Sequence, residues 1–388
     1  MTFFILGTHP ELSIAEIEAV VGKKPVIAQS AQVLVLDDVD ENLGELQNRL
    51  GGTIKIGNII GELSSSDLDE AIELIAASVS QAAGKNKISF GLSVYDLGGG
   101  SKTRQHEQEL HHLGKEIKNK VKELERPVRY VSSKEPRLSS VIVEQNGLLA
   151  SGGEYVFLIR ETDVLVGQTE SVQDFKSWSA RDYGRPASDP KSGMLPPKLA
   201  RLMINLAGVE LSGKTLLDPF CGSGTVLMEA ALMGLKKIVA SDISEKAVED
   251  TAQNLTWLVD EFKLEPPSLS LFTSPAQELD QVFTKKVDLI VTETYLGTPR
   301  TRPLSPQEFT ETRDELIEIY EPSLETLFGL LKEDGRVVIA IPAFTVGSEL
   351  ASMELQGLFE HVGFTIEHEH LYKRPNQIVA REIFVLKK

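Results

Sequence analysis

The chain of 388 residues has one cysteine, Cys221. No intrachain disulfide can form, and a thiolate zinc site needs several cysteines. The seven histidines are scattered without metal-site spacing, so no metal is expected. No apolar run approaches the roughly 18 residues of a membrane span. The opening Met1-Thr-Phe-Phe-Ile-Leu-Gly7 lacks a basic stretch and soon meets His9, Pro10 and Glu11, so no targeting segment is expected. These absences point to a reduced, cytoplasmic protein with no membrane association. Positive charge is scarce too: 40 Lys and Arg against 57 Asp and Glu give −17. That argues against nucleic acid, because phosphate contacts need cations. The deficit is uneven, however. From Ser101 to Ser140, ten Lys or Arg stand against six Glu. Such a run is either a solvated helix face or a strip that meets RNA.

What is present is ordinary for a globular protein: 41% hydrophobic and 25% charged residues. The length suggests two or three domains. Residues 3–6 read as a buried strand. Ser13 with Glu16 three residues later forms a capping-box pattern ahead of Ile14, Ile17 and Val21, and Gly22 suits the helix end. With the strand Val33–Leu36 this makes a small α/β unit over 1–60. A second α+β block covers 61–175. It holds a helix over 68–83, a strand over 88–94 and the basic helix over 107–124. The apolar positions of that helix, Leu110, Leu113, Ile117, Val121 and Leu124, form one stripe. Short strands are expected at 128–131, 140–143, 155–159 and 164–167. A Gly/Pro/Ser-rich stretch over 181–197 marks a boundary at about 175–190. Beyond it, over 176–388, strands at 215–217, 237–240, 287–291 and 337–341 alternate with helices at 226–233, 247–258 and 308–331. Alternation of this kind implies a doubly wound, mostly parallel α/β sheet. Residues 364–386 close the chain as a hairpin.

The sharpest motif is Leu216-Leu-Asp218-Pro219-Phe220-Cys221-Gly222-Ser223-Gly224-Thr225. A strand ends at Asp218, two glycines make an unhindered turn, and a helix begins. A ligand can approach the backbone there, above the carboxyl end of the sheet. Leu227 stands where a dinucleotide fingerprint needs a third glycine, and no Gly-Lys-Ser/Thr follows. The acid before the glycines favours a cationic or amino-bearing ligand over a pyrophosphate. Asp242 follows the next strand and suits two ribose hydroxyls; it also suits a helix cap before Ser244. Together these suggest a class I S-adenosylmethionine site. Asp218 faces the methionine ammonium, Asp242 and Ile243 the adenosine, and Pro219, Phe220, Cys221, Gly222, Gly224 and Thr225 line the loop.

Asp-Pro-Phe-Cys-Gly-Ser-Gly-Thr resembles the first motif of RNA methylases that act on exocyclic amines. Arg181-Asp-Tyr-Gly-Arg-Pro186 with Ser192-Gly-Met-Leu-Pro-Pro-Lys-Leu-Ala-Arg201 resembles the start of the catalytic domain in THUMP-domain tRNA guanosine N2-methyltransferases of the guanine-10 type. The opening Phe-Ile-Leu-Gly-x-x-Pro-Glu-Leu-Ser resembles that family's N-terminal ferredoxin-like domain. The basic block lies where its THUMP domain would. The resemblance implies a class I methyltransferase domain behind ferredoxin-like and THUMP-like RNA-binding domains, with tRNA as partner. It also implies a Pro196-Pro197 helix start against the cofactor pocket. Lys115, Lys118 and Lys122 are then candidate RNA contacts. A small activating protein subunit would help so acidic a chain reach RNA.

The chain departs from that family where its chemistry lies. The family carries Asp/Asn-Pro-Pro-Tyr after the fourth strand; this chain reads Thr292-Glu293-Thr294-Tyr295-Leu296-Gly297. Glu293 stands for the acid and Tyr295 for the aromatic, with Thr292 beside them. Glu is one methylene longer than Asp, and an ångström of misplacement can cost roughly a hundredfold in rate. At the third strand end, Ser274 or Gln277 stands, as a weaker neutral acceptor, for an acid that meets the adenine amine. Arg300 and Arg302 are candidate phosphate grips, or loop arginines paired with Glu311 or Asp314. Cys221 as a methylating nucleophile is disfavoured by its place inside the cofactor loop. The expected activity is methyl transfer to an exocyclic amine, guanosine N2 in tRNA first. The competing readings are a non-catalytic RNA-binding protein on a degenerate fold, and a methyltransferase for a protein or small molecule.

Overall fold

The computed structural model describes residues 1–64, 68–81, 87–188, 194–375 and 377–388. Ala82, Ala83, Ser192 and Gly193, named above, lie outside the described residues. Two compact units divide the chain, Met1–Lys176 and Ser177–Lys388.

The first unit runs β1 (Thr2–Leu6), α1 (Pro10–Val21), β2 (Val26–Gln29), β3 (Val33–Leu36), α2 (Leu43–Arg49), β4 (Thr53–Ser64), α3 (Leu68–Ser80), β5 (Ile88–Asp96), α4 (Ser101–Glu123), β6 (Val128–Val131), α5 (Ser140–Gln145), β7 (Gly152–Ile159) and β8 (Asp163–Val172). Its eight strands form one sheet in the order β2-β3-β1-β4-β8-β7-β5-β6. The sheet runs unbroken through residue 60, because β4 pairs β1 on one side and β8 on the other.

Two local expectations are corrected. The helix expected at Ser13 begins at Pro10, since proline suits the first helical position and its missing N–H has no partner to lose there. Ser13 and Glu16 therefore lie inside α1 and bond elsewhere. The Ser13 hydroxyl donates to Gly52 O at 2.8 Å, and the Glu16 carboxylate accepts from Gly51 and Gly52 N–H at 2.7 Å each. The strand expected over 140–143 is α5, because the Ser139 side chain accepts from Ile142 N–H and caps a helix. A short apolar run does not separate strand from helix by itself.

A buried ion pair ties this sheet across four strands. Lys55 Nζ donates to Glu154 Oε1 at 2.5 Å and to Leu138 O at 2.6 Å. Ser93 and Thr169 donate to the two oxygens of Glu154. Each group is satisfied, which is the condition for keeping charge in a core. Along α4, Leu110, Leu113, Ile117 and Val121 are buried as the stripe requires, but Leu124, counted with them from the sequence, is the C-cap residue beyond the last turn and is exposed. Lys115 and Lys122 are exposed and Lys118 is half-buried. The three stand three and four residues apart, on one helix face. None of them forms an ion pair among the described residues.

α6 (Phe175–Tyr183) spans the junction in sequence. The second unit continues with α7 (Pro197–Leu206), β9 (Thr215–Asp218), α8 (Thr225–Leu232), β10 (Lys237–Asp242), α9 (Glu245–Phe262), β11 (Ser268–Thr273), β12 (Val287–Glu293), α10 (Pro306–Leu330), β13 (Leu331–Val346), β14 (Glu349–Ala351), α11 (Gln356–Val362), β15 (Thr365–Tyr372) and β16 (Val379–Lys387). The sheet order is β11-β10-β9-β12-β13-β16-β15. The first five strands are parallel, and β16 alone is reversed: it pairs antiparallel with β13 on one side and with β15 on the other. Leu216, Leu217, Leu289, Ile290 and Val291 are fully buried, as in a parallel sheet covered on both faces. The expected doubly wound sheet is present. Its strand order reverses between β9 and β12, and ligands of such sheets bind at that switch, beyond the carboxyl ends of the strands. Among the described residues no helix is long and apolar enough to cross a membrane, and no group of three or more side chains is disposed to hold a metal.

Candidate active site

The crevice forms where β9 and β12 end side by side. Asp218, the last residue of β9, is 2% exposed. Its Oδ1 accepts from the Thr292 hydroxyl at 2.7 Å and the Phe220 N–H at 3.3 Å. Both donors are neutral, and among the described residues no lysine or arginine pairs with it. Burial therefore pushes its pKa up to about 7, despite the two hydrogen bonds. A buried carboxylate aligned on neutral donors is the complement of an ammonium.

After Asp218 the backbone turns through Gly222 (φ +50°) and Gly224 (φ +83°), the left-handed region where glycine is favoured. Gly224 caps α8, and Thr225 opens it. Asp242 fastens the loop from the neighbouring strand: Oδ2 accepts from Gly222 N–H and Oδ1 from Ser244 N–H, each at 2.9 Å. The cap of α9 is Ser244, not Asp242. Each Asp242 oxygen keeps a second lone pair, so two further hydroxyl donors can be accepted. Ile243 beside it is 75% exposed, an apolar surface at the mouth. Ser274 is buried, with its hydroxyl on the neighbouring Pro275 O at 3.2 Å. Cys221 is buried, and its thiol is held protonated by burial and by Asp218 nearby, which removes it as a nucleophile.

The segment before α7 wraps onto α8. Arg181 Nε and Arg201 Nη2 pair with the two oxygens of Glu229 at 2.6 and 2.7 Å, and both guanidinia lie over the Trp178 ring. Arg185 reaches Thr225 Oγ1 at 2.7 Å. Pro196 caps α7 and Pro197 opens it.

The turn after β12 is fixed from three sides. Thr292 is fully buried on Asp218. Glu293 Oε1 accepts from Arg381 Nε of β16 at 2.5 Å. Burial raises the proton affinity of Glu293, and Arg381 opposes this. Its Oε2 has no hydrogen-bond partner among the described residues. Thr294 Oγ1 donates to Ala340 O at 3.1 Å. The Tyr320 hydroxyl of α10 donates to Tyr295 O at 2.5 Å. Tyr295 is 49% exposed, so its ring is available at the rim. A carboxylate, a half-exposed aromatic and the glycine turn that follows a buried acid thus meet at one switch point.

Arg300 and Arg302 stay near this turn but have other partners than Glu311 or Asp314. Arg302 makes a two-armed pair with Glu308, at 2.6 and 3.1 Å, and Arg300 donates to Thr312 Oγ1 at 2.7 Å. Ser305 and Glu308 form a capping box at the start of α10, which brings the Glu308 carboxylate under Arg302. Sequence reading missed Arg381, Arg185 and Tyr320. Arg381 is 88 residues from Glu293, and only strand pairing joins them.

Known proteins resemble this chain in sequence and in fold. Residues 185–294 match a family model described as RMKL-like, methyltransferase domain. The tRNA (guanine(10)-N2)-dimethyltransferase of Methanothermobacter thermautotrophicus is 28% identical over 349 residues, 89% of each chain. A probable tRNA (guanine(10)-N2)-dimethyltransferase of Methanothermococcus thermolithotrophicus is 32% identical over 181 residues, 46% of this chain and 98% of the relative. The crystal structure of TrmN from Thermus thermophilus shares the fold over the whole of both chains, with a TM-score of 0.56 at 18% identity. A putative methyltransferase complexed with SAH shares it over 100% of this chain and 97% of its own, with a TM-score of 0.51 at 12% identity. On motif, fold and sequence, the chain belongs to the family of tRNA (guanine(10)-N2)-dimethyltransferases.

Proposed function

We propose that this enzyme methylates N2 of a guanosine in tRNA, using S-adenosylmethionine. The observation that carries the proposal is the pairing of Asp218 and Thr292 across the switch point, which sets a buried, cation-seeking carboxylate directly beside the Glu293–Tyr295 turn. The donor set suits the cofactor: Asp218 for the ammonium, the free lone pairs of Asp242 for ribose hydroxyls, and Ile243 against the adenine plane. When bound, the cofactor supplies an electrophilic methyl carbon on a sulfonium. A base amine is a poor nucleophile, because its lone pair is delocalised into the ring. The enzyme must therefore take the nucleotide out of its stack and hold nitrogen and methyl in line. Glu293 Oε2 accepts an N–H of that amine and stabilises the positive charge that builds on nitrogen. Arg381 keeps the carboxylate aligned from behind. Tyr295 offers a face on which the extruded base stacks.

The first unit selects the RNA. We assign residues 1–60 to a ferredoxin-like part, 61–175 to a THUMP-like part that shares β4 and one sheet with it, and 176–388 to the methyltransferase domain. In this reading Lys115, Lys118 and Lys122 meet phosphates, as do Arg300 and Arg302 once Arg302 leaves Glu308. An A-form stem is recognised mainly by shape and backbone. A small activating subunit would supply positive charge that the chain lacks.

The test is transfer of radiolabelled methyl to unmodified tRNA, followed by nucleoside analysis. N2-methylguanosine is expected with the wild type. In Glu293→Gln, kcat should fall by roughly a hundredfold with cofactor affinity unchanged. No label in tRNA from any source, with SAH binding intact, would overturn the proposal.

A further inference from the structure

Arg185 is a buried cation with no ion-pair partner among the described residues. It is 4% exposed. Its Nη1 donates to Thr225 Oγ1 and its Nη2 to Met194 Sδ, each at 2.7 Å. Its Nε is buried and has no acceptor. Both partners are neutral, and among the described residues no carboxylate forms an ion pair with it. Burial dominates its electrostatics, and the Asp182 carboxylate opposes this to a smaller extent. A charge taken out of water onto neutral partners is costly and is rarely kept unless something pairs with it. Arg201 and Arg181, close by in sequence, both have Glu229 for that purpose; Arg185 has no equivalent.

The position of this cation limits which anion can reach it. Thr225 is the last residue of the loop that starts at Asp218 and the first of α8, whose unpaired N–H groups add positive potential there. One end of the loop thus carries a buried carboxylate on neutral donors, and the other a buried guanidinium on neutral partners. The pair is complementary to a zwitterion, and the amino-acid part of S-adenosylmethionine is one: an ammonium and a carboxylate on a single carbon. We propose that Arg185 binds the carboxylate of the methyl donor, opposite Asp218 at its ammonium. A nucleic-acid phosphate is the poorer match. A polynucleotide backbone needs an exposed cation, whereas a small carboxylate can follow the loop to a buried one. The inference rests on the proposed use of S-adenosylmethionine and deepens it by one residue.

Calorimetry with two nucleosides tests it on the full chain. SAH carries the amino-acid part; 5′-methylthioadenosine has the same adenosine and thioether without it. In Arg185→Met the SAH Kd should rise about 10- to 100-fold, the range of a charge-assisted hydrogen bond, with the methylthioadenosine Kd unchanged. Arg185→Lys should recover part of the loss. The unliganded Met variant should melt no lower than the wild type, because an uncompensated charge gives way to an apolar chain of similar volume. Three results would overturn the assignment. These are SAH affinity kept within about threefold, equal loss for both nucleosides, and loss of tRNA affinity with SAH affinity intact, which would give the guanidinium to a phosphate. Wild-type protein that binds neither nucleoside would instead overturn the function from which the inference starts.

Discussion

Replacing Asp218 by Asn should make the unliganded protein more stable, and by an amount that depends on pH. The folded pKa is about 7 against an ordinary 3.8, raised by burial. The gap is about three units, or about 4 kcal/mol at 1.36 kcal/mol per unit. The acid binds its proton more tightly in the folded state. It therefore leaves stability untouched below about pH 4, where both states are protonated. Between pH 4 and 7 the unfolded chain ionises and the folded one does not, so stability falls as pH rises. Above pH 7 the full cost remains. Asn keeps an acceptor for Thr292 and for Phe220 N–H but cannot ionise. The stability difference between Asp218→Asn and wild type, from urea unfolding, should thus be near zero at pH 4 and grow to at most about 4 kcal/mol by pH 7.5. SAH brings an ammonium to the same carboxylate. At pH 6 its binding should release about one proton from the wild type and none from the variant, measured by calorimetry in buffers of different ionisation heat. A flat difference between pH 4 and 7.5, or a wild type that gains on the variant over that window, would refute the electrostatic reading of the crevice.

Lys55→Met should destabilise the first unit by about 3–5 kcal/mol, because it leaves Glu154 charged and 0% exposed; adding Glu154→Leu should restore much of the loss in thermal melts. Converting Lys115, Lys118 and Lys122 together to Gln should weaken tRNA binding and lower the slope of log K against log salt by up to about 2 to 3, at about 0.7–0.9 per lost phosphate contact. An unchanged slope in filter binding would take α4 out of the RNA interface.

Much of the second unit was legible in the residues. Asp218, Gly222 and Gly224 lie in a strand–turn–helix segment whose local pattern is complete within ten residues. The helical stripe of α4 was equally local. Where the reading failed, two local options had similar cost. Ser13-x-x-Glu16 is a sound capping box, yet Pro10 starts the helix earlier and both side chains serve Gly51 and Gly52. The run at 140–143 is β-branched and apolar, yet Ser139 caps it as a helix. The strand β4 went unread because it carries Lys55 and two glycines; only Glu154, 99 residues on, makes that lysine affordable.

By itself, then, the sequence determined the class of the second unit, its strand–turn–helix loop after Asp218, and the place of the Thr292–Gly297 turn after the fourth strand. Those features are set by neighbours within a few residues. The charge state of the site was decided by the tertiary structure. Asp218 is perturbed because β12 and the loop bury it with no cation beside it among the described residues; Glu293 is held because β16 brings Arg381 back across 88 residues; Arg185 sits on the neutral Thr225 and Met194, with no acid in an ion pair among the described residues. Desolvation and ion pairing depend on what surrounds a group in three dimensions, and no spacing along the chain encodes that.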